Sequence, residues 1–97
     1  MKLYKLINGI AETALEDMEI SGITDNTSKV REGFIFVCVR GASFDGHSAA
    51  ERMLEKGAAL VIAEYDLGLG YRQIITENSR EFYGRLCAAW FDPVSYT

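Results

Sequence analysis

Phe34 to Ala63 reads F-I-F-V-C-V-R-G-A-S-F-D-G-H-S-A-A-E-R-M-L-E-K-G-A-A-L-V-I-A, and its order of apolar runs around one capped amphipathic stretch decides the fold class. Phe34 to Val39 is an apolar run of six residues, too short for a helix core and rich in the aromatic and β-branched types of a buried strand. Ser48-Ala49-Ala50-Glu51 has the S-x-x-E form of a capping box, in which the serine accepts from the third amide and the glutamate reaches back. A helix is therefore expected from Ser48. It turns Ala49, Ala50, Met53 and Leu54 inward and stops at Lys56-Gly57, a basic last turn followed by glycine. Ala58 to Ala63 is a second continuous apolar run. Strand, helix, strand at this spacing is a βαβ unit, with a right-handed crossover and parallel pairing. The expected class is α/β: a single domain over residues 1–97, with a small mixed or largely parallel sheet flanked by helices.

Outward from that unit, Leu3, Leu6 and Ile7 share one face of a first helix that Asn8-Gly9 would stop. Met18, Ile20 and the Ile23 region read as a half-buried strand leading into Thr24-Asp25, and Val30 to Gly33 as the turn before Phe34. Downstream, Tyr65 to Tyr71 is a glycine-containing surface loop and Gln73 to Thr76 a short strand. Asn78-Ser79-Arg80-Glu81 can cap a last helix with Phe82, Leu86, Cys87 and Trp90 on its apolar face, ended by Pro93.

Composition removes several function classes. The chain has 97 residues, enough for one core, with 48% hydrophobic and 25% charged residues, the make-up of a folded globule. No apolar stretch approaches the ~20 residues that span a bilayer, and Met1 to Asn8 lacks the layout of a secretion signal. A soluble, cytoplasmic protein is expected, with no membrane partner. The net charge of −4, with ten scattered basic residues, argues against nucleic acid. Cys38 and Cys87 sit among apolar neighbours and read as buried thiols. With one histidine and no C-x-x-C, no metal site is expected.

Catalytic chemistry finds little to work with. Ser43 or Ser48 beside His47 is the one nucleophile and base combination, but no G-x-S-x-G turn surrounds either serine, and His47 reads better as a helix-entry residue hydrogen-bonded locally. Glu16 with Asp17 and Glu51 with Glu55 read as solvated charge. There is no G-x-x-x-x-G-K-[ST] loop to hold ATP, so no catalytic residue is assigned. Binding is better served. Thr24-Asp25-Asn26-Thr27-Ser28 lines up hydroxyls, amides and carbonyls that suit the edge of a base such as uracil. The loop Gly41 to Asp45 would have to face that tip across the carboxyl edge of the sheet. Amides at the start of the Ser48 helix would suit a diphosphate. The plainer alternative is an Asx-type turn over Asp25 to Ser28 and a second turn at Asp45-Gly46.

T-D-N-T-S-K-V-R-E-G-F-I-F-V-C-V-R-G-A-S-F-D-G-H, from Thr24, followed by L-E-K-G-A-A-L-V-I-A-E, resembles the N-terminal domain of the Mur ligases, more the MurE type than the MurF type. That family shows T-x-D-S-R-x-V-x-x-G-x-[IL]-F-V, a G-x-x-x-D-G-[HR] loop and a G-A-x-x-[VI]-[VI]-x-E run at these spacings. I-I-T-E-N-S-R-E and the W-F-D-P end resemble its last strand and helix. The resemblance implies an ATP-dependent ligase of peptidoglycan synthesis that adds a diamino acid, meso-diaminopimelate or L-lysine, to UDP-N-acetylmuramoyl-L-alanyl-D-glutamate. In that reading residues 1–97 hold the UDP moiety, and the central ATP-binding and C-terminal domains belong to a longer parent. This stretch then needs no cofactor, whereas the parent uses ATP and Mg. By motif position, Asp25 through its backbone and Thr27 through its hydroxyl fall where the family contacts uridine, and Ala42, Ser43 and Phe44 fall on the loop over uridine and diphosphate. Asn26-Thr27-Ser28 replaces the usual D-S-R, keeping a hydroxyl and losing an arginine. A stand-alone nucleotide-sugar-binding module of the same fold is the alternative from another class.

Overall fold

The computed structural model describes Leu3, residues 18–39 and residues 45–91. Expectations at Leu6, Ile7, Asn8, Gly9, Glu16, Asp17, Ala42, Ser43, Phe44 and Pro93 lie outside those residues. The chain forms strands β1 (Gly22–Thr24) and β2 (Phe34–Val37), a 3-10 turn (Gly46–Ala49), helix α1 (Ala50–Glu55), and strand β3 (Leu60–Ala63). A second 3-10 turn (Gly70–Arg72), strand β4 (Gln73–Ile75) and helix α2 (Ser79–Phe91) follow. The strands pair in the order β1-β2-β3-β4, and every pairing is parallel, so of the two arrangements expected the sheet takes the parallel one.

A parallel sheet is covered on both faces, which is why its strands carry continuous apolar runs rather than alternation. Ile35, Val37, Leu60, Ile62 and Ile74 turn to one side, against Phe82 and Leu86 of α2 together with Leu3 and Ile20. Phe36, Cys38, Val61 and Ala63 turn to the other, against Ala50 and Met53 of α1. Burying each large apolar side chain of this kind contributes about 1.5–3 kcal/mol. Alternate residues of one strand thus anchor opposite helices.

The element ends differ from the apolar runs for identifiable reasons. Cys38 still donates to Ile62 O at 2.8 Å, but the Val39 carbonyl turns to accept from Gly46 N at 3.1 Å, so β2 gives way to its loop before the run ends. Ala58 donates back to Met53 O at 3.0 Å and completes the exit from α1, which delays β3 to Leu60. At that exit Gly57 has φ +115, and a Cβ there would stand 2.9 Å from Glu32 Cα. Only glycine fits this backbone and this approach. The capping box expected at Ser48 does not form. Asp45 caps the 3-10 turn instead, its carboxylate accepting from His47 N, while Ser48 Oγ donates to Asp45 O at 2.8 Å. The 3-10 turn thereby takes up Ser48 and α1 starts two residues later, at Ala50.

Candidate functional site

The strands run in one direction, so Thr24, Val37, Ala63 and Ile75 all deliver the chain to the carboxyl edge, where open α/β sheets bind ligands. β1 and β2 are direct neighbours. The tip over residues 25–28 and the two feet of the next loop, Val39 and Asp45, therefore leave adjacent strand ends. Asp25 is exposed and Thr27 half-buried on that tip, while Ala42, Ser43 and Phe44, expected on the facing loop, lie outside the described residues.

The tip is shaped by its own short side chains. Thr24 Oγ1 accepts from Asn26 N at 3.0 Å, and Asn26 Oδ1 accepts from Ser28 N at 2.9 Å and Ser28 Oγ at 2.7 Å. The Asx turn considered for this stretch is present, with Asn26 as its side chain. It commits the Asn26 side-chain oxygen to the Ser28 amide and the Ser28 hydroxyl to that same oxygen. Thr27 Oγ1 makes no hydrogen bond among the described residues. From α2, Tyr83 lies near the tip, and burial, then the Asp25 charge, hold its hydroxyl above the ordinary range. Arg31 Nη1 donates to Ser28 O at 3.3 Å and Val30 O at 3.0 Å, placing a guanidinium against the turn although position 28 is serine.

Behind the edge runs a polar network that sequence reasoning missed. His47, its side chain 1% exposed, accepts from the Glu64 backbone amide at Nε2, 2.9 Å away. An amide can only donate, so the ring proton sits on Nδ1, which donates to Asp45 Oδ1 at 2.6 Å. Both ring nitrogens are occupied and neither can serve as a general base. The local reading of His47 holds, and the Ser48 hydroxyl is committed to Asp45 O instead of the imidazole. Tyr65 stacks on the ring at 4.4 Å and 16°. Glu64 Oε2 accepts from Ser79 N at 2.9 Å and Ser79 Oγ at 3.1 Å, a carboxylate on the first amide of α2 where the helix dipole favours it. Asp45, His47, Glu64 and Ser79 so tie the ends of β2, β3 and α2 together. Glu64 was visible as the close of the G-A-x-x-[VI]-[VI]-x-E run, but no local signal paired it with Ser79.

Gly46 N donates to Val39 O at 3.1 Å, His47 N to Asp45 Oδ1 at 2.9 Å and Ser48 N to Asp45 O at 3.1 Å. The amides of Gly46, His47 and Ser48, ahead of α1, are thus satisfied within the chain. No group of three His, Cys, Asp or Glu that could hold a metal gathers among the described residues.

Cys38, fully buried in β2, is held far from thiolate chemistry. Burial, then the nearby Asp45 charge, push its pKa up to about 12 from an ordinary 9.0. Iodoacetamide at pH 8 is expected to leave Cys38 unmodified in the folded chain and to label it on denaturation. Labelling of native protein at the denatured rate, read by mass spectrometry, would contradict this burial. The folded thiol keeps its proton to higher pH than the unfolded one, so the stability this provides is full below pH 9 and falls as pH rises from about 9 towards about 12. Tyr83 and Cys87, both raised chiefly by burial, act with the same sign.

A four-stranded parallel sheet with helices on both faces defines a small α/β domain. The chain belongs to the Mur ligase family: a profile described as "Mur ligase family, catalytic domain" matches residues 19–90. Over 95 residues, 94% of this chain, it is 33% identical to a UDP-N-acetylmuramoyl-L-alanyl-D-glutamate--2,6-diaminopimelate ligase of Bacillus velezensis, covering 19% of that protein. Over 83 residues, 82% of the chain, it is 37% identical to the ligase of the same name from Listeria monocytogenes, covering 17% of it. The chain thus spans about a fifth of the length of the curated relatives it matches. Among solved structures it is similar to MurF ligase of Thermotoga maritima in complex with ADP, with a TM-score of 0.62, 33% identity, and coverage of 71% of this chain and 16% of that one. MurF of Acinetobacter baumannii, at 20% identity and a TM-score of 0.76 over 91% of this chain and 20% of its own, shares the fold. No described helix is long and apolar enough to cross a membrane.

Proposed function

We propose that this chain is the part of a cytoplasmic, peptidoglycan-building ligase that holds the UDP moiety of UDP-N-acetylmuramoyl-L-alanyl-D-glutamate. The parent adds a diamino acid to that substrate, with ATP and Mg supplied to central and C-terminal domains outside these residues. ATP has no phosphate loop to occupy here, so no step of the ligation is routed through this chain. The observation that carries the reading is the direct parallel pairing of β1 and β2, which starts the Asp25 to Thr27 tip and the loop of Ala42, Ser43 and Phe44 from neighbouring strand ends. Thr27 Oγ1, uncommitted on that tip, is the donor to the base. The Asp25 backbone is the second contact beside it.

Calorimetric titration with UDP tests this, read alongside amide chemical shifts at Asp25 and Thr27. Weak, saturable binding with shifts confined to the tip is expected; no heat and no shift at millimolar UDP would remove the proposal. Thr27→Ala is expected to weaken UDP binding by about 1 kcal/mol, roughly fivefold, the net worth of one hydrogen bond. Unchanged affinity would take Thr27 out of the site. The MurF type remains as a second reading because of the 33% identity to the Thermotoga maritima protein. Complementation of strains conditionally lacking either ligase, by the parent protein, separates the two.

A further inference from the structure

Away from the carboxyl edge, the face of the sheet covered by α1 carries a second concavity. Gly57 hands α1 on to β3, and its carbonyl accepts from Gly33 N at 2.9 Å ahead of β2, so α1 runs back from the carboxyl edge to the amino ends of the strands. A cleft of about 330 Å3 follows its length, lined by Thr27, Ser28, Ala49, Arg52, Met53 and Lys56. Ala49 and Met53 are buried and supply its apolar lining. Arg52 and Lys56 are exposed cations one helical turn apart, and like charges at that spacing repel. Glu55 stands three positions from Arg52, at ion-pair spacing, yet Arg52 makes no ion pair or side-chain hydrogen bond among the described residues. Lys56 Nζ donates to Thr27 O at 2.8 Å and keeps its other ammonium protons for a ligand. A guanidinium fork matches two oxygens of a tetrahedral phosphate group, and an ammonium beside it acts as a point charge on a third.

We propose that this cleft is an anion site separate from the nucleotide edge, suited to the phosphate group of free phosphate or of a small phosphomonoester, and coupled to the tip through Lys56. Arg52 is its principal contact. Because one ammonium proton stays on Thr27 O, anion and tether do not compete: a bound phosphate holds Lys56 Nζ, and with it the Thr27 carbonyl. A tip ordered by one ligand costs less to order for the other, and such coupling is reciprocal. The anion site stands on the cleft alone, whereas its effect on uridine rests on the nucleotide reading given above.

The test is titration of the 97-residue chain and its Arg52→Gln and Lys56→Gln variants with inorganic phosphate and with glycerol 3-phosphate at fixed ionic strength, followed by amide shifts. Uridine and UDP are then titrated with and without phosphate. Arg52→Gln breaks no side-chain hydrogen bond or ion pair among the described residues, so an unchanged Tm is expected and checks that folding is intact. Saturable shifts at Arg52, Lys56 and Thr27 are expected in wild type, and the tighter of the two probes names the source of the phosphate group. Arg52→Gln should weaken phosphate binding about tenfold, the scale of a charge-assisted hydrogen bond, and leave UDP affinity in phosphate-free buffer unchanged. Saturating phosphate should raise the uridine affinity of wild type about fivefold and that of Lys56→Gln not at all. No saturable shift with either probe, or equal phosphate affinity in wild type and Arg52→Gln, overturns the site. A loss of UDP affinity in Arg52→Gln equal to its loss of phosphate affinity gives the cleft to the nucleotide and overturns the separation. Uridine affinity indifferent to phosphate overturns the coupling. Failure of wild type to bind uridine or UDP removes the nucleotide reading and the coupling with it, while saturable phosphate binding lost in Arg52→Gln still supports the anion site.

Discussion

Leucine in place of His47 is expected to lower the free energy of unfolding by about 3 kcal/mol, because it strips partners from two other groups while keeping the volume filled. The Glu64 amide loses the acceptor at 2.9 Å, and the Asp45 carboxylate loses the ring N–H at 2.6 Å. A buried donor left without a partner costs about 1–3 kcal/mol, and hydrogen bonds to charged groups are stronger than neutral ones. For a domain of this size the change corresponds to a fall in Tm of roughly 15 °C, measurable by calorimetry. The consequence extends past stability, since Asp45 is the downstream foot of the loop that carries Ala42 to Phe44. A variant that melts like wild type would show that the Asp45, His47 and Glu64 bonds are not what holds this edge.

Gly57→Ala is expected to cost a further class of energy, about 3 kcal/mol, through the backbone. Its φ of +115 is closed to alanine, and the added Cβ would meet Glu32 Cα, a main-chain atom, at 2.9 Å. Retreat is blocked because Gly57 O accepts from Gly33 N at 2.9 Å, the bond that joins the exit of α1 to the turn before β2. Lys56 precedes this glycine, so the displaced backbone would also pull the ammonium from Thr27 O. A loss of stability joined to weaker UDP binding is the expected pair of results from denaturant titration and calorimetry. A stable variant with full affinity would show that the exit of α1 can rearrange without disturbing the tip.

Short-range chemistry made much of this legible. Phe34 to Val39 and Ala58 to Ala63 announce buried strands because a parallel sheet covers both faces, and Lys56-Gly57 announces the helix stop because only glycine leaves a helix this way. Asn78 caps α2 as expected, its Oδ1 accepting from Glu81 N at 3.0 Å. The late start of α1 has a physical cause: Asp45 caps a 3-10 turn through the His47 amide, and its carbonyl accepts from both the Ser48 amide and hydroxyl, so Ser48 lies inside that turn rather than capping a helix.

The order of residues along the chain determined the α/β class, the strand and helix identities, the polar tip at Asp25 to Thr27 and the family pattern, since each depends on periodicity or spacing within a few turns. Tertiary structure alone decided that Lys56 reaches Thr27, 29 positions away, and that Glu64 caps Ser79 while feeding its amide to His47. Those partners meet only when the sheet has closed its parallel register, because a hydrogen bond between distant side chains is set by where whole elements pack and leaves no local trace.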